Sequence, residues 1–77
     1  MNNSFKVNVG DVWRINFGKG NPNNAVIHIR AIVDEDYAVW RVYNRHKKRW
    51  DYEIKHNYTL CLLDSDGFLE FVRHDVL

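Results

Sequence analysis

Much that would specify a chemistry is missing from these 77 residues, which include one cysteine, one proline and four glycines. A single thiol, Cys61, excludes an internal disulfide, and no CxxC or Cys/His pair has the spacing of a zinc site. The four histidines, His28, His46, His56 and His74, are scattered along the chain, so neither a metal nor any other cofactor is expected. Cys61 sits within LCLL and reads as a small buried hydrophobe rather than a reactive thiol. Ser4 and Ser65 have no nucleophile motif around them. The turns Asp34-Glu35-Asp36 and Asp64-Ser65-Asp66 lack the distal Glu of a calcium loop, and GKGNPNN is not a phosphate-binding GxxxxGK[ST]. No run reaches the roughly 18 apolar residues of a membrane span, and the polar start MNNSFK is not a signal peptide. The reading is of a non-enzymatic chain in a reducing cytoplasm, with no membrane partner.

What is present is a folding composition: 45% hydrophobic residues and 14% aromatic. That fits one domain over residues 1–77, of a size that buries about 60% of its unfolded surface. A net charge of +1 argues against a surface that attracts polyanions everywhere, and the charge pattern equally against an acidic DNA mimic. Any electrostatic grip must be local.

The pattern is of short strands. FKVNV runs into Gly10-Asp11 and then VWRINF, where Trp13, Ile15 and Phe17 alternate with Arg14 and Asn16. GKGNPNN, from Gly18 to Asn24, is the clearest loop. AVIHIRAIV follows, with Ala25, Ile27, Ile29, Ala31 and Val33 on one face and Val26, His28, Arg30 and Ile32 on the other. An acidic turn leads into YAVWRVY, a basic tip into WDYEI, the break KHN into YTLCLLD, and DSDG into FLEFV, while RHDVL closes or frays. These about six strands and no helix predict an all-β domain, either a small barrel or a strongly bent antiparallel sheet.

VNVGDVWRI, its Gly/Asn-rich loop and AVIHIRAIV resemble the opening of SH3-like small barrels of the KOW and Tudor type, over about the first 45 residues. The resemblance rests on Val9, Gly10, Asp11 and Val12 and implies a barrel that binds nucleic acid, a protein or a short peptide. GDVW and INF are also similar to MazF-like ribonucleases. The Arg-Pro element of those proteins is absent here, because Pro22 follows Asn21.

The richest stretch is RVYNRHKKRWDYE, Arg41 to Glu53, with Arg41, Arg45, Lys47, Lys48 and Arg49 bracketed by aromatics. With a tip at Arg45-His46-Lys47-Lys48, Asn44 faces Arg49, Tyr43 faces Trp50, Val42 faces Asp51, Arg41 faces Tyr52 and Trp40 faces Glu53. A one-residue bulge would swap every pair. Two readings stay open. The alternation of WDYEI favours Trp50, Tyr52 and Ile54 in the core, with Asp51, Glu53 and Lys55 in water. The alternative packs Trp40 and Val42 inward and leaves Tyr43, Trp50 and Tyr52 as a stacking platform. In both, Arg45, His46, Lys47, Lys48 and Arg49 are free to meet phosphates, and the alternative for the tip is a merely solvated loop. The expected partner is RNA or DNA. The competing class is a small protein-binding inhibitor or regulator, such as an accessory protein of a phage or mobile element, using the same Trp- and Arg-rich hairpin. An exposed strand edge could also pair with a second copy to form a homodimer.

Overall fold

The computed structural model describes residues 6–76. Ser4, Phe5 and the final Leu77 lie outside the described residues. Five strands and one helix follow in order: β1 (Asp11–Ile15), β2 (Ala25–Ile32), β3 (Tyr37–Asn44), β4 (Arg49–His56), α1 (Asn57–Ser65) and β5 (Leu69–His74). The strands form one antiparallel sheet in the order β4-β3-β2-β1-β5. The domain is therefore all-β apart from one short helix. β1 to β4 form a meander, and β5 returns to lie beside β1.

One face of this sheet closes a core. Ile15, Ile27, Ile29, Ala38, Trp40 and Leu69 meet Val7 and Leu60 there, with Trp13, Val42 and Leu63 packed around them. Burying a side chain of the size of Ile27 or Leu60 contributes roughly 1.5–3 kcal/mol, and both are fully enclosed. Trp40 adds a directed contact, its indole Nε1 donating to Glu53 Oε1 at 2.8 Å.

Three corrections to the sequence reading follow from local geometry. YTLCLLD is not a strand but most of α1. Its apolar residues are contiguous, so periodicity alone cannot separate strand from helix, and the ends decide. His56 Nδ1 accepts from Tyr58 N at 3.0 Å, capping the first turn. At the other end Gly67 N bonds Asp64 O (3.0 Å) and Phe68 N bonds Leu63 O (2.9 Å), a Schellman closure that needs the left-handed Gly67 (φ 78). DSDG is thus a helix terminus. Leu60 is the residue that α1 buries, and Cys61 is only half-buried.

The second correction concerns β2. A register shift between Ile29 and Ala31 breaks the alternation, so Ala31 and Val33 are exposed instead of joining Ile27 and Ile29 in the core. The third is at the N-terminus, where β1 begins only at Asp11 and the described part of FKVNV is not a strand, although Val7 is buried.

Gly10-Asp11 is a clasp. Gly10 has φ 97, and a side chain there would collide with the carbonyl of Asp75. Its N–H bonds Ile29 O (3.0 Å) and its carbonyl accepts from Asp75 N (2.8 Å). Asp11 is buried, accepts from Asn8 N at 2.9 Å and lies 2.8 Å from His74 Nδ1. Arg73, His74 and Asp75 of RHDVL therefore close onto β1 and Gly10, and Val76 is exposed. Among the described residues β4 and β5 remain edge strands, joined in sequence through α1.

Candidate functional site

The β3–β4 hairpin has the register expected from a four-residue tip: Asn44 with Arg49, Tyr43 with Trp50, Val42 with Asp51, Arg41 with Tyr52 and Trp40 with Glu53. No bulge intervenes. The tip is set by Asn44, whose Oδ1 accepts from the backbone N–H of His46 and of Lys47, both at 3.0 Å. Lys48 then takes the left-handed region (φ 54), where a lysine is less favourable than glycine by roughly 1 kcal/mol.

The in–out sense of β4 is the reverse of what its alternation favours. Trp40 points into the core at 5% exposure, whereas Trp50 is 40%, Tyr52 60% and Ile54 66% exposed. Position in the sheet explains this. β4 is an edge strand at the rim of a small core already filled from β3 by Ala38 and Trp40, so its core-side positions reach water. Polar Asp51, Glu53 and Lys55 occupy them. Lys55 Nζ lies 5.8 Å from the Trp40 ring, and Glu53 accepts the Trp40 N–H.

The outer face of the hairpin is consequently aromatic and cationic. Trp50 is its hub. Arg41 Cζ stands 4.2 Å from the Trp50 ring centroid, Tyr43 meets that ring edge-on at 5.4 Å, and His28 from β2 does the same at 5.4 Å. With Arg41 over it and two rings against it, Trp50 is better placed to organise the platform than to receive a stacked group. Tyr52 and Tyr43, 60% and 46% exposed, offer the open rings.

The basic residues of the tip divide. Arg45, His46, Lys47 and Lys48 are exposed around the turn. Arg49 belongs to the opposite side, where its Nε bonds Asp51 Oδ1 at 3.2 Å. Asp51 also accepts from Asn44 Nδ2 at 2.9 Å, and these bonds, the Asn44 one foremost, hold its carboxyl below the usual range. The acidic turn Asp34-Glu35-Asp36 does not neutralise the tip. It lies at the far end of the eight-residue β3, roughly 26 Å away, and Asp34 Oδ1 already accepts from the N–H of Asp36 and Tyr37.

An open groove of about 580 Å³ runs between Pro22–Ala25 and the hairpin, bordered by Val42, Asn44, Arg45 and Asp51. The ionised Asp51 makes it a poor seat for an anion. The outer face is the better candidate.

His28 and Asn44 were not singled out as site residues from the sequence. His28 was legible as sharing a face with Val26, but only the cross-strand pairing with Arg41 brings it to Trp50. Among the described residues no group of three or more His, Cys, Asp or Glu side chains is arranged to hold a metal ion. Nor is any helix among them long and apolar enough to cross a membrane. Comparison with protein-family models, with curated proteins and with solved structures finds no match.

Proposed function

We propose that this chain is a non-enzymatic binding module whose β3–β4 hairpin holds single-stranded nucleic acid against the outer face of the sheet. The observation that carries the reading is the inverted β4, which sets Tyr43, Trp50 and Tyr52 in solvent beside Arg41 while Trp40 fills the core. The contacts within the hairpin stabilise this arrangement only modestly, and it leaves the open rings of Tyr43 and Tyr52 in solvent. Bases stacking on such rings contribute about 1–3 kcal/mol each. Only unpaired bases present their faces, which favours a single strand over a duplex.

Arg45, Lys47 and Lys48 at the tip supply phosphate contacts, with His46 between them. Arg49, tied to Asp51, contributes less. The lysine in a left-handed conformation points the same way, since local strain concentrates where a loop is used. The strand order, with β5 returning beside β1 across a short helix, is compatible with the SH3-like small-barrel resemblance of the sequence. Edge charges on β4 (Arg49, Asp51, Glu53 and Lys55) work against pairing with a second copy.

The test is fluorescence anisotropy with labelled oligouridine, oligothymidine and a duplex at about 50 and 200 mM salt. Wild type is compared with an Arg45→Ala/Lys47→Ala/Lys48→Ala variant and with Trp50→Ala. Three lost phosphate contacts lower the salt slope by about 2 on a single strand, and Trp50→Ala weakens binding at every salt concentration. Absence of binding to any strand at micromolar protein refutes the reading.

A second reading has one specific observation in its favour. Ile54, more exposed than any ring of the hairpin, extends the patch with aliphatic surface that nucleic acid does not use. A protein partner would use it, with Trp50, Tyr52 and Arg41 as anchors. Such binding is weakly dependent on salt and is lost in Ile54→Asp.

A further inference from the structure

The register of the sheet places one row of side chains straight across its outer face. Arg73 on β5 pairs with Val12 on β1, Val12 with His28 on β2, His28 with Arg41 on β3, and Arg41 with Tyr52 on β4. Cross-strand partners project from the same side of a sheet; the β1–β5 register shifts between Val12 and Trp13, and it is the repulsion of Arg73 on His28 that places Arg73 with this row, so three nitrogen-rich side chains share roughly 14 Å of sheet width. Val12, the one apolar member between Arg73 and His28, is fully buried although it is not part of the main core cluster.

Each member of the row is held but not satisfied as a cation. Arg41 lies over the Trp50 ring at 4.2 Å, and its buried Nε has no hydrogen-bond partner. His28 has its ring against the edge of the same indole. Arg73 Nε bonds Asp75 Oδ1 at 2.8 Å, which leaves its terminal nitrogens for another acceptor.

The charges feel one another. His28 is held below its ordinary value of 6.5, first by burial, then by Arg41 and Arg73, with Asp75 acting in the opposite sense and Arg30, two residues along β2, adding to the repulsion. Those four charged groups act on the imidazole, whose ring also meets the uncharged Trp50 from β4 and whose strand neighbour on β1 is Val12. Asp75 is the single anion among them, already engaged by Arg73.

We propose that Arg73, His28 and Arg41 form an anion shelf that carries the phosphate backbone of the bound single strand, while its bases turn toward Tyr43 and Tyr52. This rests on the single-strand reading above and adds to it a path. The backbone crosses the sheet from the hairpin toward β5 rather than staying at the tip. Arginine suits phosphate because its planar fork donates two parallel hydrogen bonds. A phosphate beside His28 offsets the repulsion from Arg41 and Arg73, so protonation of His28 and binding favour each other.

The test uses oligouridine, whose bases do not titrate between about pH 5.5 and 8. His28 is followed by NMR with and without the oligonucleotide, and affinity is measured at both ends of that range. The His28 pKa is expected to rise on binding, and each unit of rise tightens binding by up to about tenfold as the pH falls. His28→Gln removes that dependence. Arg73→Gln weakens binding and lowers the salt slope by about 0.7, while Arg73→Lys restores the slope. Circular dichroism and thermal melts of each variant establish that it is folded.

If oligouridine binds wild type with no pH dependence, with His28 unmoved and Arg73→Gln neutral, while Trp50→Ala still weakens binding, the shelf is overturned and the platform stands. If folded wild type binds no oligonucleotide at either pH, both fall.

Discussion

Trp40 and Trp50 are ten positions apart on neighbouring strands, and truncating each to alanine separates the two faces of the hairpin. Trp40 is 5% exposed, sits in the core cluster and donates its indole N–H to Glu53. Replacing a buried Trp by Ala costs about 3–5 kcal/mol through lost transfer energy and the cavity left behind. Whole-domain stability for a chain of this length, at roughly 0.05–0.15 kcal/mol per residue, is about 4–12 kcal/mol. Trp40→Ala therefore removes much of the stability and leaves a population partly unfolded at room temperature.

Trp50→Ala loses the Arg41 contact, about 0.5–1 kcal/mol, and the edge-on ring contacts with Tyr43 and His28, about 0.2–1 kcal/mol each. The sum is about 2 kcal/mol. Urea unfolding followed by circular dichroism resolves the difference. At a slope near 1 kcal/mol per molar, Trp50→Ala moves the midpoint by about 2 M, and Trp40→Ala moves it by about 3 M or leaves no folded baseline. Equal losses in the two variants, or a larger loss at Trp50, would refute the inverted β4 and the exposed platform built on it.

Other outcomes follow from single contacts. Leu60→Ala, at the one buried position of α1, is expected to cost about 2–5 kcal/mol and to lower Tm by roughly 4–8 °C per kcal/mol, read by calorimetry. Gly67→Ala meets open space but must hold φ 78, so it costs about 1 kcal/mol or more through the backbone alone; a neutral result in a melt would refute the Schellman closure. The Asp51 carboxyl is held below its ordinary 3.8, so its contribution is fully present above that value and disappears as the pH falls through the folded one. Asn44→Ala should therefore flatten the acid limb of a stability–pH curve. His28 is also held low, so the unfolded chain binds more protons below 6.5 and stability falls as the pH drops from there toward the folded value. His28→Gln should remove that slope.

The alternation AVIHI identifies Ile27 and Ile29 as core and His28 as outer, and the acidic and basic turns are punctuated by residues whose side chains make the turns. The hairpin register was readable because a four-residue tip admits few pairings. What alternation could not give was the sense of β4. Its rings and its charges are both regular, and which set faces inward depends on the core being already full beneath an edge. YTLCLLD was ambiguous because a contiguous apolar run carries no period, and its caps lie outside it at His56 and Gly67. The bulge at Arg30 left no mark that composition could reveal. Arg73 was out of reach because its place beside Val12 is set by a pairing between distant parts of the chain.

That distant pairing has a kinetic consequence. The β3–β4 hairpin closes over only four residues, whereas His74 meets Asp11 across 63 positions of sequence. Loop-closure entropy then orders assembly, with the local hairpin forming early and β5 docking on β1 among the last events. The aromatic platform belongs to the early unit, while Arg73 and the clasp at Gly10 arrive at the end. A chain interrupted before β5 docks would display the rings without the completed row of cations, so a refolding time course probed by a nucleic-acid ligand should lag the same time course probed by hairpin fluorescence.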